Sequence, residues 1–132
     1  MTISFSWNKE FSADELEKLF LSVEWESGKY PEKLKQAMFN SHKVFSVRDG
    51  DRLIGLINSI TDQVLTAYFQ YLLVDPEYQG HGLGKKLVTG MLETYSEIPR
   101  KVLIAMEDKV GFYKNCGFTH HIEKAPMFVS TL

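Results

Sequence analysis

The stretch that decides the fold runs Tyr71-Leu72-Leu73-Val74-Asp75-Pro76-Glu77-Tyr78-Gln79-Gly80-His81-Gly82-Leu83-Gly84-Lys85-Lys86-Leu87. An apolar run ends at Asp75-Pro76, a glycine-rich turn follows, and a segment with helical spacing begins behind it. Such a turn can aim several backbone N–H groups at one anion. The helix adds unpaired donors and the positive end of its dipole. The stretch therefore reads as a cradle for a pyrophosphate. Two phosphate loops fail on spacing. A P-loop needs Gly-x-x-x-x-Gly-Lys and then Ser or Thr, whose hydroxyl holds magnesium. Here Gly84-Lys85 is followed by Lys86, and Gln79 stands five before Gly84. A dinucleotide fingerprint needs Gly-x-Gly-x-x-Gly at the opening of a βαβ unit, whereas Gly80, Gly82 and Gly84 alternate.

Working outward, the chain of 132 residues is the size of one domain, 1–132, and its 44% hydrophobic content suffices for a packed core. A formal net charge of −2 disfavours a general nucleic-acid surface. The single cysteine, Cys116, leaves no internal disulfide and no thiol pair for zinc. No apolar stretch reaches bilayer length, and Met1-Thr2-Ile3-Ser4-Phe5 lacks the basic-then-apolar pattern of a signal peptide. The expectation is a soluble, cytoplasmic enzyme or binding domain.

Ile3, Phe5 and Trp7 alternate with polar residues, as in a short strand. Ser12 and Glu15 form a capping box ahead of a helix whose apolar face is Leu16, Leu19, Phe20 and Val23. Pro31 suits the first turn of a second helix carrying Leu34, Ala37 and Met38. Strands are expected at Val44–Val47, Leu53–Ile60 and Val64–Val74. After the glycine turn, Leu83, Leu87, Gly90, Met91 and Leu92 share a helix face. Val102 to Met106 reads as a buried strand, Lys109 to Cys116 as a short helix stopped by Gly117, and Phe118 to Val129 as a last strand with an irregular middle. The order is β-α-α-β-β-β-α-β-α-β.

Gln79, Gly82 and Gly84 match the pattern Gln/Arg-x-x-Gly-x-Gly/Ala, and Phe112-Tyr113-Lys114-Asn115-Cys116-Gly117-Phe118 matches Phe-Tyr-x-x-x-Gly-Phe. Together with the order of elements, these residues resemble the GNAT superfamily of N-acyltransferases across essentially the whole chain. The resemblance is weakest over the first 45 residues. It implies an α/β (α+β) fold whose central, mostly antiparallel mixed sheet has its fourth and fifth strands splayed apart, and acetyl-CoA as co-substrate. Gln79, Gly80, His81, Gly82, Leu83, Gly84 and Lys85 would hold the pyrophosphate, with charge from Lys85 and Lys86. The main chain of Leu72, Leu73 and Val74 would bind the pantetheine arm beside Phe112, with an N–H nearby as oxyanion donor.

Acyl transfer to an amine needs a fixed donor, a deprotonated amine, a stabilised oxyanion and a protonated leaving thiolate. By the resemblance, Tyr113 faces the thioester sulfur as general acid; a phenol with pKa ~10 is protonated at neutral pH. A tyrosine that merely covers the sheet is the structural alternative. The long strand offers Tyr68, Gln70 and Tyr71, none of them basic at neutral pH, so no general base is assigned. Glu24 and Trp25, with Tyr71, would form the acceptor pocket: a carboxylate attracts an ammonium ion and an indole face adds a cation–π contact. Glu26 flanks Trp25 as well. Glu107 and Asp108 lie near the expected thioester site, although Asp108 also suits a helix cap. Adjacent His120 and His121 in a strand would point to opposite faces, and no metal is assigned.

The reading is N-acetylation of a primary amine, a small cationic one or else a protein amine, by direct attack in a ternary complex. No nucleic-acid or membrane partner is expected, and the resemblance makes a homodimer an open option. The rivals are transfer of another short acyl group, a non-catalytic acyl-CoA-binding or interaction module, and a toxin acting on tRNA. The acidic balance and the lack of Lys/Arg runs disfavour the last.

Overall fold

The computed structural model describes residues 1–132. The Ser12 hydroxyl accepts the Glu15 N–H at 3.1 Å, and the Glu15 carboxylate accepts the Ser12 N–H at 2.8 Å. This capping box starts α1, Ala13–Ser22. Arg48 donates to the other Glu15 oxygen at 2.6 Å, tying the helix start to the sheet and holding that carboxyl below its ordinary pKa against the opposing effect of burial. Pro31 opens α2, Pro31–Asn40, where its missing N–H costs nothing.

The strands are β1 (Ile3–Ser6), β2 (Lys43–Asp49), β3 (Arg52–Thr61), β4 (Thr66–Val74) and β5 (Arg100–Leu103). They form one sheet in the order β1-β2-β3-β4-β5, antiparallel except for the parallel β4–β5 pair. Helix α3, Leu83–Thr94, lies on one face and buries Leu83, Leu87, Val88 and Met91 against Val47, Ile54, Ile57 and Phe69. Helices α1 and α2 cover the other face, packing Leu16, Leu19, Phe20, Leu34 and Met38 on Val44, Leu56 and Leu73. The middle strand β3 is thus buried on both sides, which explains its run of apolar residues. The short α4, Val110–Asn115, follows β5.

Gly90 lets α3 approach the sheet. A Cβ there would stand 2.4 Å from the Phe45 ring, which is stacked on Trp7 at 4.2 Å and packed against Phe5. Gly90→Val is expected to destabilise the fold by about 1–2 kcal/mol, because overpacking outweighs the helix propensity gained. A denaturant midpoint equal to the parent's would contradict this.

The expected order holds through α4, and two expectations need correction. Val102 to Met106 is not a buried strand. Pairing stops at Leu103, and Val102, Ile104 and Met106 are exposed because β5 has a neighbour on one side only. The last strand, expected over Phe118 to Val129, does not form. Phe118 packs on Phe69 and Tyr113, after which the chain runs out into solvent as an exposed, irregular arm. His120 and His121 therefore sit on this arm and not in a strand, and His121 pairs with Glu123 at 2.9 Å.

Candidate active site

The site begins with an irregularity in the sheet. Ile57 pairs with Leu72 and Ser59 with Phe69, so Asn58 of β3 faces two residues of β4, Gln70 and Tyr71. This bulge is held by Asn58, which is fully buried. Its Oδ1 accepts the Tyr71 N–H at 2.8 Å, and its Nδ2 donates to Gln70 Oε1 and Ser41 Oγ, each at 3.0 Å. Every polar atom of the amide is thus partnered inside the core, as burial demands. Beyond the bulge β4 bends away from β5. The last paired residues are Phe69 and Leu103, yet β4 continues to Val74 with β3 alone beside it. The two strands splay, and the main chain from Gln70 to Val74 is left without a strand partner on its open side.

The glycine turn lies at the end of this gap. Asp75 donates its N–H to the Ile54 carbonyl at 2.7 Å, accepts the Glu77 N–H at 2.9 Å, and is bridged by Arg52 at 2.9 Å. These contacts fix the chain as it leaves β4. Gly80 and Gly82 have φ of 86° and 76°, a left-handed conformation that side-chain-bearing residues adopt at a cost. Gly82 is the N-cap of α3, and no side chain caps that helix. Its first-turn N–H groups are consequently open to a ligand anion.

One cavity of about 760 Å³ connects these parts. Its wall includes Leu72, Leu73, Val74, Gln79, Gly80, Gly82, Leu83, Gly84 and Lys85, together with Phe112, Tyr113, Glu24 and Trp25. Most of the residues expected from sequence therefore meet in one place, although Glu24 and Gly82 are far apart along the chain. Tyr113 is wedged edge-on between Phe112 at 5.1 Å and Phe118 at 5.8 Å. Burial pushes its phenol up to about 12, so it carries its proton throughout the neutral range. Glu24 has a positive φ of 59°, uncommon for a residue with a side chain, and sits at the cavity edge. Glu26, its neighbour in sequence, pairs with Lys29 at 3.0 Å on the short turn Glu26–Lys29.

Some expected residues stand elsewhere. Tyr71 is behind the wall, its hydroxyl bonded to Ser27 Oγ at 2.8 Å and its ring packed against Phe20 and Trp25. It positions Trp25 and does not line the cavity. His81 and Lys86 are exposed and outside the wall. The Gln79 side chain donates to the Val74 carbonyl at 2.9 Å, which shapes the turn from within. Asp108 does not cap α4, and neither it nor Glu107 borders the cavity. Cys116 is partly buried, and burial raises its thiol pKa, opposite to what a nucleophile needs. Sequence reasoning passed over Asn58 and gave no site role to Gln70 or Lys109. The latter two border the cavity, and a lone Asn within an apolar strand was the available signal for the first.

Comparison with known proteins agrees with this geometry. The acetyltransferase (GNAT) domain family matches residues 9–127. A Prochlorococcus marinus protein described as an uncharacterized N-acetyltransferase is 35% identical over 124 residues, which cover 89% of this chain and 68% of that one. A soybean histone acetyltransferase is 35% identical over 99 residues, covering 65% of this chain and 43% of the relative. A GNAT-family acetyltransferase from Streptococcus pneumoniae has the same fold at a TM-score of 0.84 with 26% identity, covering 99% of this chain and all of its own. A mixed sheet splayed over a glycine-turn cradle defines an acyl-CoA-dependent transferase site. The chain belongs to the GNAT family and is an acetyl-CoA-dependent acetyltransferase.

The residues present fit that co-substrate. The open β4 edge would offer main-chain groups to the pantetheine arm, and the uncapped α3 start, with Lys85 beside it, would offer donors and charge to the phosphates. Acetyl-CoA supplies the activated acetyl group; the chain's part is to bind, orient and move protons.

Proposed function

We infer that the chain acetylates a primary amine by direct attack within a ternary complex, and that the favoured acceptor is a small cationic amine. One observation supports this most: Glu24 and Trp25 border the same cavity as Tyr113 and the glycine turn. Glu24 has no salt-bridge partner, unlike Glu26, so its charge is available to an ammonium group. The Trp25 ring, supported by Phe20 at 6.0 Å and Tyr71 at 5.8 Å, offers a fixed aromatic surface nearby. No carboxylate or histidine stands on β4, so the proton of the bound ammonium passes to water before the attack. Tyr113 donates a hydrogen bond to the departing sulfur.

The soybean relative favours a second reading, in which the acceptor is a lysine of a protein. Release of CoA measured with polyamines, arylalkylamines, aminoglycosides and lysine peptides separates the two. With a responsive amine, Glu24→Gln is expected to raise KM for the amine by roughly 5–30-fold, from a contact worth about 1–2 kcal/mol. Affinity for CoA is expected to stay within twofold or so of the parent, since on this reading the carboxylate contacts only the acceptor. Trp25→Ala is expected to act in the same direction. Loss of CoA binding in Glu24→Gln would place that residue in the donor site and overturn the acceptor assignment.

A further inference from the structure

Gln70 stands where the splay opens. Its neighbour Phe69 is the last residue of β4 paired to β5, and Gln70 itself is half-buried and borders the cavity. Ala67 and Phe69 pack toward α3, so strand alternation turns Gln70 to the face that α1 and α2 cover. Trp25 and Tyr71 pack on that face too, whereas Phe112 and Tyr113 pack with the α3 side.

Which end of the Gln70 amide is free is fixed by hydrogen bonds anchored on two backbone groups. The Tyr71 N–H can only donate, so the Asn58 atom that meets it at 2.8 Å is Oδ1. Asn58 Nδ2 then faces Ser41 Oγ and Gln70, each at 3.0 Å. Ser41 agrees with this orientation: its hydroxyl donates to the Ala37 carbonyl at 2.8 Å, which leaves its oxygen to accept. A donor at Asn58 Nδ2 requires an acceptor, so the Gln70 atom turned to it is Oε1. Gln70 Nε2 is left without a protein partner, and it is open to solvent, because every buried side-chain nitrogen and oxygen of the chain has one. Gln70 thus presents two N–H donors and no acceptor on its free side. Such a group has nothing to offer an ammonium ion, which is itself only a donor. It suits an oxygen.

We propose that Gln70 is a specificity-determining residue of the acceptor pocket, where its N–H groups hold a carbonyl, ether or hydroxyl oxygen of the amine substrate. The favoured acceptor is then a cationic amine that carries oxygen, with Glu24 and Trp25 attracting the cation and Gln70 holding the oxygen, and not a hydrocarbon polyamine. This rests on the reading that the chain acetylates a small amine. An analogue without the oxygen is disfavoured because the donor is left unpaired.

Pairs of amines of equal shape isolate the oxygen. One pair is cadaverine and its ether analogue, in which oxygen replaces the central methylene. The other is para-ethylphenethylamine and para-methoxyphenethylamine. Calorimetry on the CoA complex reads affinity for each amine, and CoA release reads turnover. The parent should favour the ether member of at least one pair, and Gln70→Met should lower that preference roughly 3–10-fold, the loss of one neutral hydrogen bond. Comparing parent and variant on the same pair cancels the differing basicity of the two amines. Gln70→Glu still accepts from Asn58 Nδ2 but turns an oxygen to the cavity, so its preference for the ether should fall below that of Gln70→Met. It also keeps the test open if the Met variant misfolds. Both variants should retain the parent's circular dichroism and its thermal shift with CoA. An ether preference equal in parent and variants overturns the assignment and leaves acetyl transfer standing. Loss of CoA binding by folded Gln70→Glu overturns it as well, since the side chain would then serve the donor. Oxygen-dependent binding without acetylation upholds it and sinks only the transfer reading. Binding of no member of either pair overturns both.

Discussion

Tyr113→Phe is expected to lower kcat by roughly 10²–10⁴-fold, the range for removal of a general acid. The substitution keeps the ring between Phe112 and Phe118, so folding and CoA affinity should change little. The expected pH behaviour follows from the phenol's surroundings. Burial disfavours the phenolate and pushes the group up to about 12, so its protonated form persists below that value. A descending limb due to Tyr113 should therefore be absent below about pH 11. A limb nearer pH 9–10 that survives in Tyr113→Phe would belong to another group. The elevated value also bears on the chemistry. A phenol near 12 is a weaker acid than an exposed thiol near ~8.5, so full transfer to a free thiolate would be uphill by about 5 kcal/mol. On the proposed reading the phenol would act first by a hydrogen bond to the charge developing on sulfur, with the proton following as the thiol forms. Single-turnover rates isolate this step from product release. An unchanged rate there would remove Tyr113 from the mechanism.

Gly82→Glu should abolish CoA binding. In the free protein a Cβ at Gly82 meets nothing within 4 Å, so the substitution clashes with no part of the fold. Its cost there is the left-handed conformation at φ 76°, about 1–2 kcal/mol. The effect on binding is much larger. A carboxylate at the α3 start repels a pyrophosphate by about 4 kcal/mol at 4 Å in surroundings of effective dielectric ~20. That corresponds to a loss on the order of 10²–10³-fold in affinity. A thermal-shift titration reads it, since a ligand that binds only the folded state raises the transition in proportion to occupancy. Gly82→Ala bears the same backbone strain without the charge and should retain most of the shift. Equal losses in the two variants would mean that the backbone, not electrostatics, governs the cradle. NAD or ATP should shift neither the parent nor the variants.

What the residues determined by themselves was local. The capping box at Ser12 and Glu15, the Pro31 helix start, the glycine turn and the Phe-Tyr segment each specify their geometry within a few residues, through steric limits on φ and the partners of nearby N–H groups. Those features were legible. Three other properties depend on groups distant in sequence. The splay of β4 from β5 needs the bulge at Gln70 and Tyr71, which Asn58 of another strand holds in place. Glu24 and Tyr113 border one cavity although they are far apart along the chain, and the residues between them carry no local mark of it. The fate of an apolar alternating run is the third. Val102 to Met106 and Phe118 to Val129 both read as strands, because periodicity reports which side chains would share a face. It does not report whether a neighbour is present to cover that face. Only the tertiary structure, by showing β5 with one partner and the arm with none, decided that.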